Sequence, residues 1–165
     1  MVQLMGSGYP VQMRLLAATG IATLACFTGD AQITVTIASA GAIPLLVQLL
    51  GREGSTASTQ QMAAGALCGL CKNADNMVTI AAAASAIPRL MQLLEPSAVG
   101  PSTTGPGTTE KVQNMAARTL SNLAANTENT VTIAAAGAIP PLVQLLGTGY
   151  SSDTQECAAG GLQAG

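Results

Sequence analysis

Two thiols three positions apart, Cys68-Gly-Leu-Cys71, are the one pair in this sequence spaced for disulfide exchange or for half of a zinc site. Either use needs more than the pair. No second CxxC occurs and the chain has no His, which removes the commonest acid/base group near neutral pH and the commonest metal ligand. The pair also falls inside a segment of helical period, and the aligned positions of a later copy hold Ser121 and Ala124. Both thiols therefore read as packing residues. Asp30, Asp75 and Glu128 sit at comparable loop positions before short helical segments, where a carboxylate favours a helix N-terminus through its dipole. Neither a phosphate loop ending in Lys-Ser/Thr nor a G-x-S-x-G nucleophile turn occurs. No catalytic residue, metal-ligand set or cofactor site can be assigned, and the expectation is a non-enzyme with no small-molecule substrate.

Composition narrows the class further. Of 165 residues 48% are apolar but only 2% aromatic, with no Trp and one Phe, so the core must be built from Ala, Leu, Ile, Val and Met. That suits closely packed helices; strand-rich folds lean on aromatic and β-branched residues. Only 8% of residues are charged, for a net −2, and neither sign clusters. Nucleic-acid binding needs a basic stripe to displace phosphate counterions, and none is present. The longest apolar stretch, 37–50, is interrupted by Gly41, Pro44 and Gln48, so no direct membrane insertion is expected. Residues 15–26 after Arg14 loosely imitate a secretory signal, but Thr23 stands three before Cys26 where an aliphatic belongs. Four scattered Cys and no Asn-x-Ser/Thr acceptor suit a reducing, intracellular setting, cytoplasmic or nuclear.

Repetition is the main signal. GAIPLLVQLL (41–50), SAIPRLMQLL (85–94) and GAIPPLVQLL (137–146) are copies of one block. A second block travels with it: AATGIATL (17–24), AAGALCGL (63–70), AARTLSNL (116–123) and AAGGLQAG (158–165). A third, TVTIASAG (34–41), MVTIAAAAS (77–85) and TVTIAAAG (130–137), precedes each Ile-Pro block. Successive copies of the second block are offset by 46, 53 and 42 residues, a helical-solenoid spacing.

Each unit reads as three helices. The VTIA segment is a short first helix with polar capping candidates such as Asn129 and Thr130 before it. It stops at Gly41 or Gly137, where a residue without Cβ can turn left-handed; Ser85 and one extra Ala alter that turn in the middle unit. Pro44, Pro88 and Pro140 open the second helix, where a missing N–H is harmless. Ile43/Leu46/Val47/Leu50, Ile87/Leu90/Met91/Leu94 and Ile139/Leu142/Val143/Leu146 form one apolar face each. In the third helix Val112, Ala116, Leu120 and Leu123 form a stripe, with Asn114, Arg118, Ser121 and Asn122 pointing away. Ala and Gly at 63–66 and 116–117 allow close helix approach, and stacking of units makes a continuous core.

The order x-VTIA-x-AGAIPPLVQLL followed by Q-x-x-AAGALxNLA resembles the armadillo repeat, of the plant and algal type. The resemblance implies a right-handed α-solenoid over residues 1–165: a partial repeat 1–29, then repeats 30–74, 75–126 and 127–165, the last truncated. It also implies a concave groove lined by third helices that holds an extended peptide or protein partner. In the importin-α branch Trp and Asn four apart on that helix clamp a basic peptide. Here the Trp column becomes Thr19, Gly65, Arg118 and Gly160, and the Asn column Thr23, Gly69, Asn122 and Ala164. Only Asn122 fits, so a nuclear-import role is disfavoured. The groove candidates are Arg118, Ser121, Asn122, Asn114, Cys68, Thr19 and Thr23. The alternatives are the substrate-recognition part of a larger U-box ubiquitin ligase, or part of a vacuole-type adaptor; either would need sequence outside these residues.

The connections at 51–59, 95–109 and 147–153 vary, and the Pro/Gly/Ser/Thr-rich middle one reads as a loop insertion. VQLM (2–5) resembles the tail of a second helix, and residue 165 falls inside a third helix. A piece of a longer protein is therefore expected, with low stability or self-association when isolated.

Overall fold

The computed structural model describes residues 1–6, 8–27, 31–51, 55–95, 108–147 and 150–163. After a 3-10 turn, Val2–Met5, come ten helices: α1 Val11–Phe27, α2 Ala31–Ser39, α3 Ala42–Leu50, α4 Ala57–Leu70, α5 Ala74–Ala82, α6 Ala86–Leu94, α7 Thr108–Ala124, α8 Thr127–Ala135, α9 Ile139–Leu145 and α10 Ser152–Gln163. They form three successive first–second–third triplets, α2–α4, α5–α7 and α8–α10, with α1 in the place of a leading third helix. The result is an all-helical solenoid.

Glycine makes the sharp turn from first to second helix. α2 and α3 meet at 80°, α5 and α6 at 85°. Gly41 and Gly137 turn the chain at φ 81° and 85°, a conformation that a Cβ disfavours. In the middle unit Ala83 ends α5 in an extended conformation and Ser85 precedes α6 at φ −106°, so the extra Ala lets the turn form without a left-handed residue.

The first helices begin earlier than the sequence suggested. Asn73 and Asn126, not Asn129 and Thr130, are the caps: Asn73 Oδ1 accepts from Asn76 N, and Asn126 Oδ1 from Glu128 N and Asn129 N. Asn129 and Thr130 lie inside α8. Asn129 is buried and donates Nδ2 to Leu123 O at 3.1 Å; Asn76 does the same to Leu70 O at 3.2 Å. Asp75 and Glu128 are not loop residues but belong to the first turns of α5 and α8, which still suits the dipole. Asp30 lies outside the described residues. So does 96–107, the body of the loop insertion, while α7 already starts at Thr108.

A Gln joins the second helix to the third in every triplet. Gln60 Nε2 donates to Leu50 O at 3.0 Å, Gln113 Nε2 to Leu94 O at 2.6 Å, and Gln155 Nε2 to Leu146 O and Gly147 O at 3.4 and 2.9 Å. Each satisfies carbonyls that the end of a helix leaves without a partner. Arg89 ties across triplets, its Nη1 donating to Val47 O and Gln48 O at 2.8 and 3.0 Å, a cation on the negative end of α3.

The core is a row of small and aliphatic side chains. Val112, Ala116, Leu120 and Leu123 are buried, as are Ile43, Leu46, Val47 and Leu50. The matching face of α9 is not: Leu142 is buried, but Ile139, Val143 and Leu146 are 53, 51 and 41% exposed. The equivalent face of α3 lies against α6 of the following triplet, and no described helix follows α9 in that place. Among the described residues no single helix is long and apolar enough to cross a membrane.

Third helices pack at very short range. A Cβ on Gly69 would meet Ala25 Cβ at 2.8 Å and the Ala25 carbonyl carbon at 2.9 Å, so only glycine lets α4 approach α1 this closely. Gly69→Ala is expected to lower stability by about 1–2 kcal/mol, overpacking outweighing the better helix propensity of Ala. Gly8→Ala, where nothing lies within 4 Å, is the neutral control; urea melts distinguish them. Gln113→Leu is expected to cost about 1–3 kcal/mol by stranding the buried Leu94 carbonyl. Gln155→Leu, at a solvated site, should cost less in the same melts.

Candidate peptide groove

The third helices α1, α4 and α7 leave a groove of ≈ 610 Å³ between them. Thr19, Thr23 and Cys26 come from α1; Gln61, Met62, Gly65, Cys68 and Gly69 from α4; Met115, Arg118 and Asn122 from α7; Lys72 joins from just beyond α4. Five of the seven residues singled out from the sequence, Thr19, Thr23, Cys68, Arg118 and Asn122, are thus brought together. Asn114 lines an adjoining hollow of ≈ 320 Å³ toward α10, with Glu110, Lys111 and Thr154, which shares Gln61 and Met115 with the groove. Ser121 lies outside both, against α10: a Cβ on Gly160 would meet its Oγ at 2.7 Å.

Main-chain oxygens anchor much of the polar lining. Thr19 and Thr23 donate to the carbonyls of Leu15 and Thr19, at 2.8 and 2.9 Å, which leaves their hydroxyls as acceptors. Asn122 Nδ2 donates to Cys68 O at 3.4 Å and Cys68 Sγ at 3.3 Å. Next to it, buried Thr119 donates to Ala64 O at 3.0 Å. Both reach from α7 to α4, so Asn122 holds two units together as well as facing the groove. Lys72 Nζ donates to Cys26 O at 2.8 Å, a cation on the last turn of α1. Arg118 is exposed and bonds to no other described residue.

Cys68 and Cys71 are held neutral. Cys71 is not inside α4 but caps it, and is buried; burial pushes its pKa far up, with Cys68 adding to the shift. Cys68 is pushed up from 9.0 to about 11 by burial, which Arg118 and Lys72 partly oppose. Among the described residues no group of three or more His, Cys, Asp or Glu is placed to hold a metal ion. In the neighbouring hollow the Glu110 carboxylate sits below its usual range, chiefly because Ser151 N–H donates to it at 2.7 Å.

The profile of the armadillo/beta-catenin-like repeat matches residues 30–72 and 126–163, that is, the first and third triplets. Crystal structures of two engineered proteins superpose on the chain with TM-scores of 0.81 and 0.80, at 31 and 30% identity over 99% of its length. The first and third triplets are armadillo repeats, and the chain as a whole has the armadillo solenoid fold. It spans 61 and 60% of the length of those two structures. A designed armadillo repeat protein, solved in complex with the peptide (KR)4, shares the fold at TM-score 0.76 and 24% identity, with 99% of this chain and 62% of that one covered. No curated protein matches.

In this armadillo array the middle triplet, which the profile does not mark, supplies Arg118 and Asn122. Sequence reasoning missed Lys72, Gln61, Met62 and Met115 as lining. Met62 and Met115 occupy the same register, immediately before the paired alanines of the second block, and that shared position was the available signal.

A raised thiol pKa has a definite sign. The folded state favours the protonated Cys68, so its contribution to stability is complete below pH 9.0 and is lost as pH rises toward about 11. Wild type is expected to lose stability over that window more steeply than Cys68→Ser, as melts across the pH series would show. Thiol alkylation of folded Cys68 should be slow at neutral pH and accelerate over the same range.

Proposed function

We propose that this chain is a protein-interaction scaffold that holds an extended polypeptide segment in the groove of α1, α4 and α7 and performs no chemistry of its own. The observation that carries the reading is that one open groove crosses three consecutive third helices. It combines Met62 and Met115 with hydroxyls, an amide and a guanidinium that bonds to no other described residue. Apolar lining with a few placed polar groups is the make-up of a ligand site, and an amide beside it can both donate to and accept from a peptide backbone. The peptide complex of the designed armadillo protein supports the same use of the fold. We place the scaffold inside the cell, because its four Cys act as small packing residues and need no oxidising compartment.

Panning a random peptide library against the full chain tests this. Recovered peptides should bind wild type and weaken by at least about tenfold on the Arg118→Glu/Asn122→Ala double substitution, since hydrogen bonds to charged groups contribute about 1.5–3 kcal/mol. Circular dichroism checks that the variant stays helical. Unchanged affinity would move the contact to another surface.

A further inference from the structure

We propose that the groove selects acidic polypeptide segments, one carboxylate seating on Arg118 and a second on Lys72; this rests on the groove reading above and names its partner class. The chain has only six Lys and Arg in all, yet two of them line this single groove, and no Asp or Glu is among its described lining residues. Arg118 is exposed and bonds to no other described residue, so its planar fork is open to a bidentate carboxylate. Lys72 gives one N–H to Cys26 O. An ammonium has three, which leaves two, with the head fixed in place on the α1 terminus.

The two cations act on a common point. Cys68, one helical turn before Lys72, feels the positive charge of both. Asp153 and Glu156 of α10 share the field at Cys157 with Arg118, and Asp153 lines the neighbouring hollow rather than the groove. No ion pair joins either of them to Arg118 among the described residues. Glu110 is turned toward Ser151 and Thr154 in the neighbouring hollow. Among the described lining residues of the groove the charges are therefore positive alone, with Met62 and Met115 beside them to take apolar side chains. A segment alternating acidic and aliphatic residues matches that lining, because successive side chains of an extended chain point to opposite sides. A basic segment such as the (KR)4 of the designed protein's complex meets like charge here.

The test uses the full chain and three labelled peptides of about twelve residues, about 40 Å when extended. They alternate Leu with Glu, Gln or Lys, and binding is read by fluorescence anisotropy. The Glu peptide should bind at least about fivefold tighter than the Gln peptide, the Lys peptide weakest. The preference should shrink as salt shortens the screening length from about 10 Å toward about 3 Å. Arg118→Glu changes an exposed side chain with no partner to lose among the described residues, and should invert the order; Lys72→Gln should reduce the preference without inverting it. A Glu peptide carrying a photo-crosslinker should label α4 and α7. Equal binding of all three peptides, tighter Lys-peptide binding, or an order unmoved by Arg118→Glu overturns the acidic preference while leaving the groove in place. No binding by any peptide, or labelling away from α4 and α7, overturns the groove reading and the preference with it.

Discussion

The distance between neighbouring third helices governs this molecule. α1, α4, α7 and α10 stack closely because a small residue stands at each of these meeting points: Gly69 against the Ala25 backbone, Gly160 against the Ser121 hydroxyl, and Ala64 under the Thr119 hydroxyl. With only 2% aromatics, few ring side chains are available to bridge wider gaps. The core gains its stability from tight packing of many small groups, each contributing a little dispersion, and a single added methyl in the wrong place is felt. The same proximity creates the groove, since helices that touch along their inner edges leave a shallow channel above the contact line.

Polar ties then fix how each unit sits on the next. Nearly all of them end on a carbonyl: three Gln side chains on the ends of second helices, Asn76 and Asn129 on the ends of third helices, and Arg89, Thr119 and Asn122 across to the preceding unit. A helix end exposes carbonyls that the helix itself cannot satisfy, so these bonds fill positions that would otherwise be open to water or stranded. Asn126 and Asn73 do the corresponding work at helix starts.

The triplet order, the two glycine turns, the proline-opened second helices and the buried stripe of α7 were all legible in the sequence, because each follows a local rule and most recur from unit to unit. Helix starts were misplaced by several residues: a run of Asn and Thr around 126–130 offers more than one capping geometry, and only the buried amide of Asn129 shows which residue is inside. The exposed face of α9 was not legible either. Its residues match those of α3, and the difference lies in what stacks on them. For the site, an angle of about 100° per residue separated core from non-core on α7 but could not say which neighbour each polar residue faces. Asn114 and Ser121 accordingly turn toward α10, while Cys68, Arg118 and Asn122 share the groove with Thr19 and Thr23 of α1. Lys72 was hidden because it follows the end of α4 and reaches the groove only through its bond to α1.

Because these ties are made to main-chain oxygens, they place almost no demand on which side chains a neighbouring unit displays. One register of the inner helices can hold Thr19, Gly65, Arg118 and Gly160 in turn while the stacking stays the same. Recognition can therefore diverge quickly within such an array, residue by residue, without renegotiating the architecture that supports it.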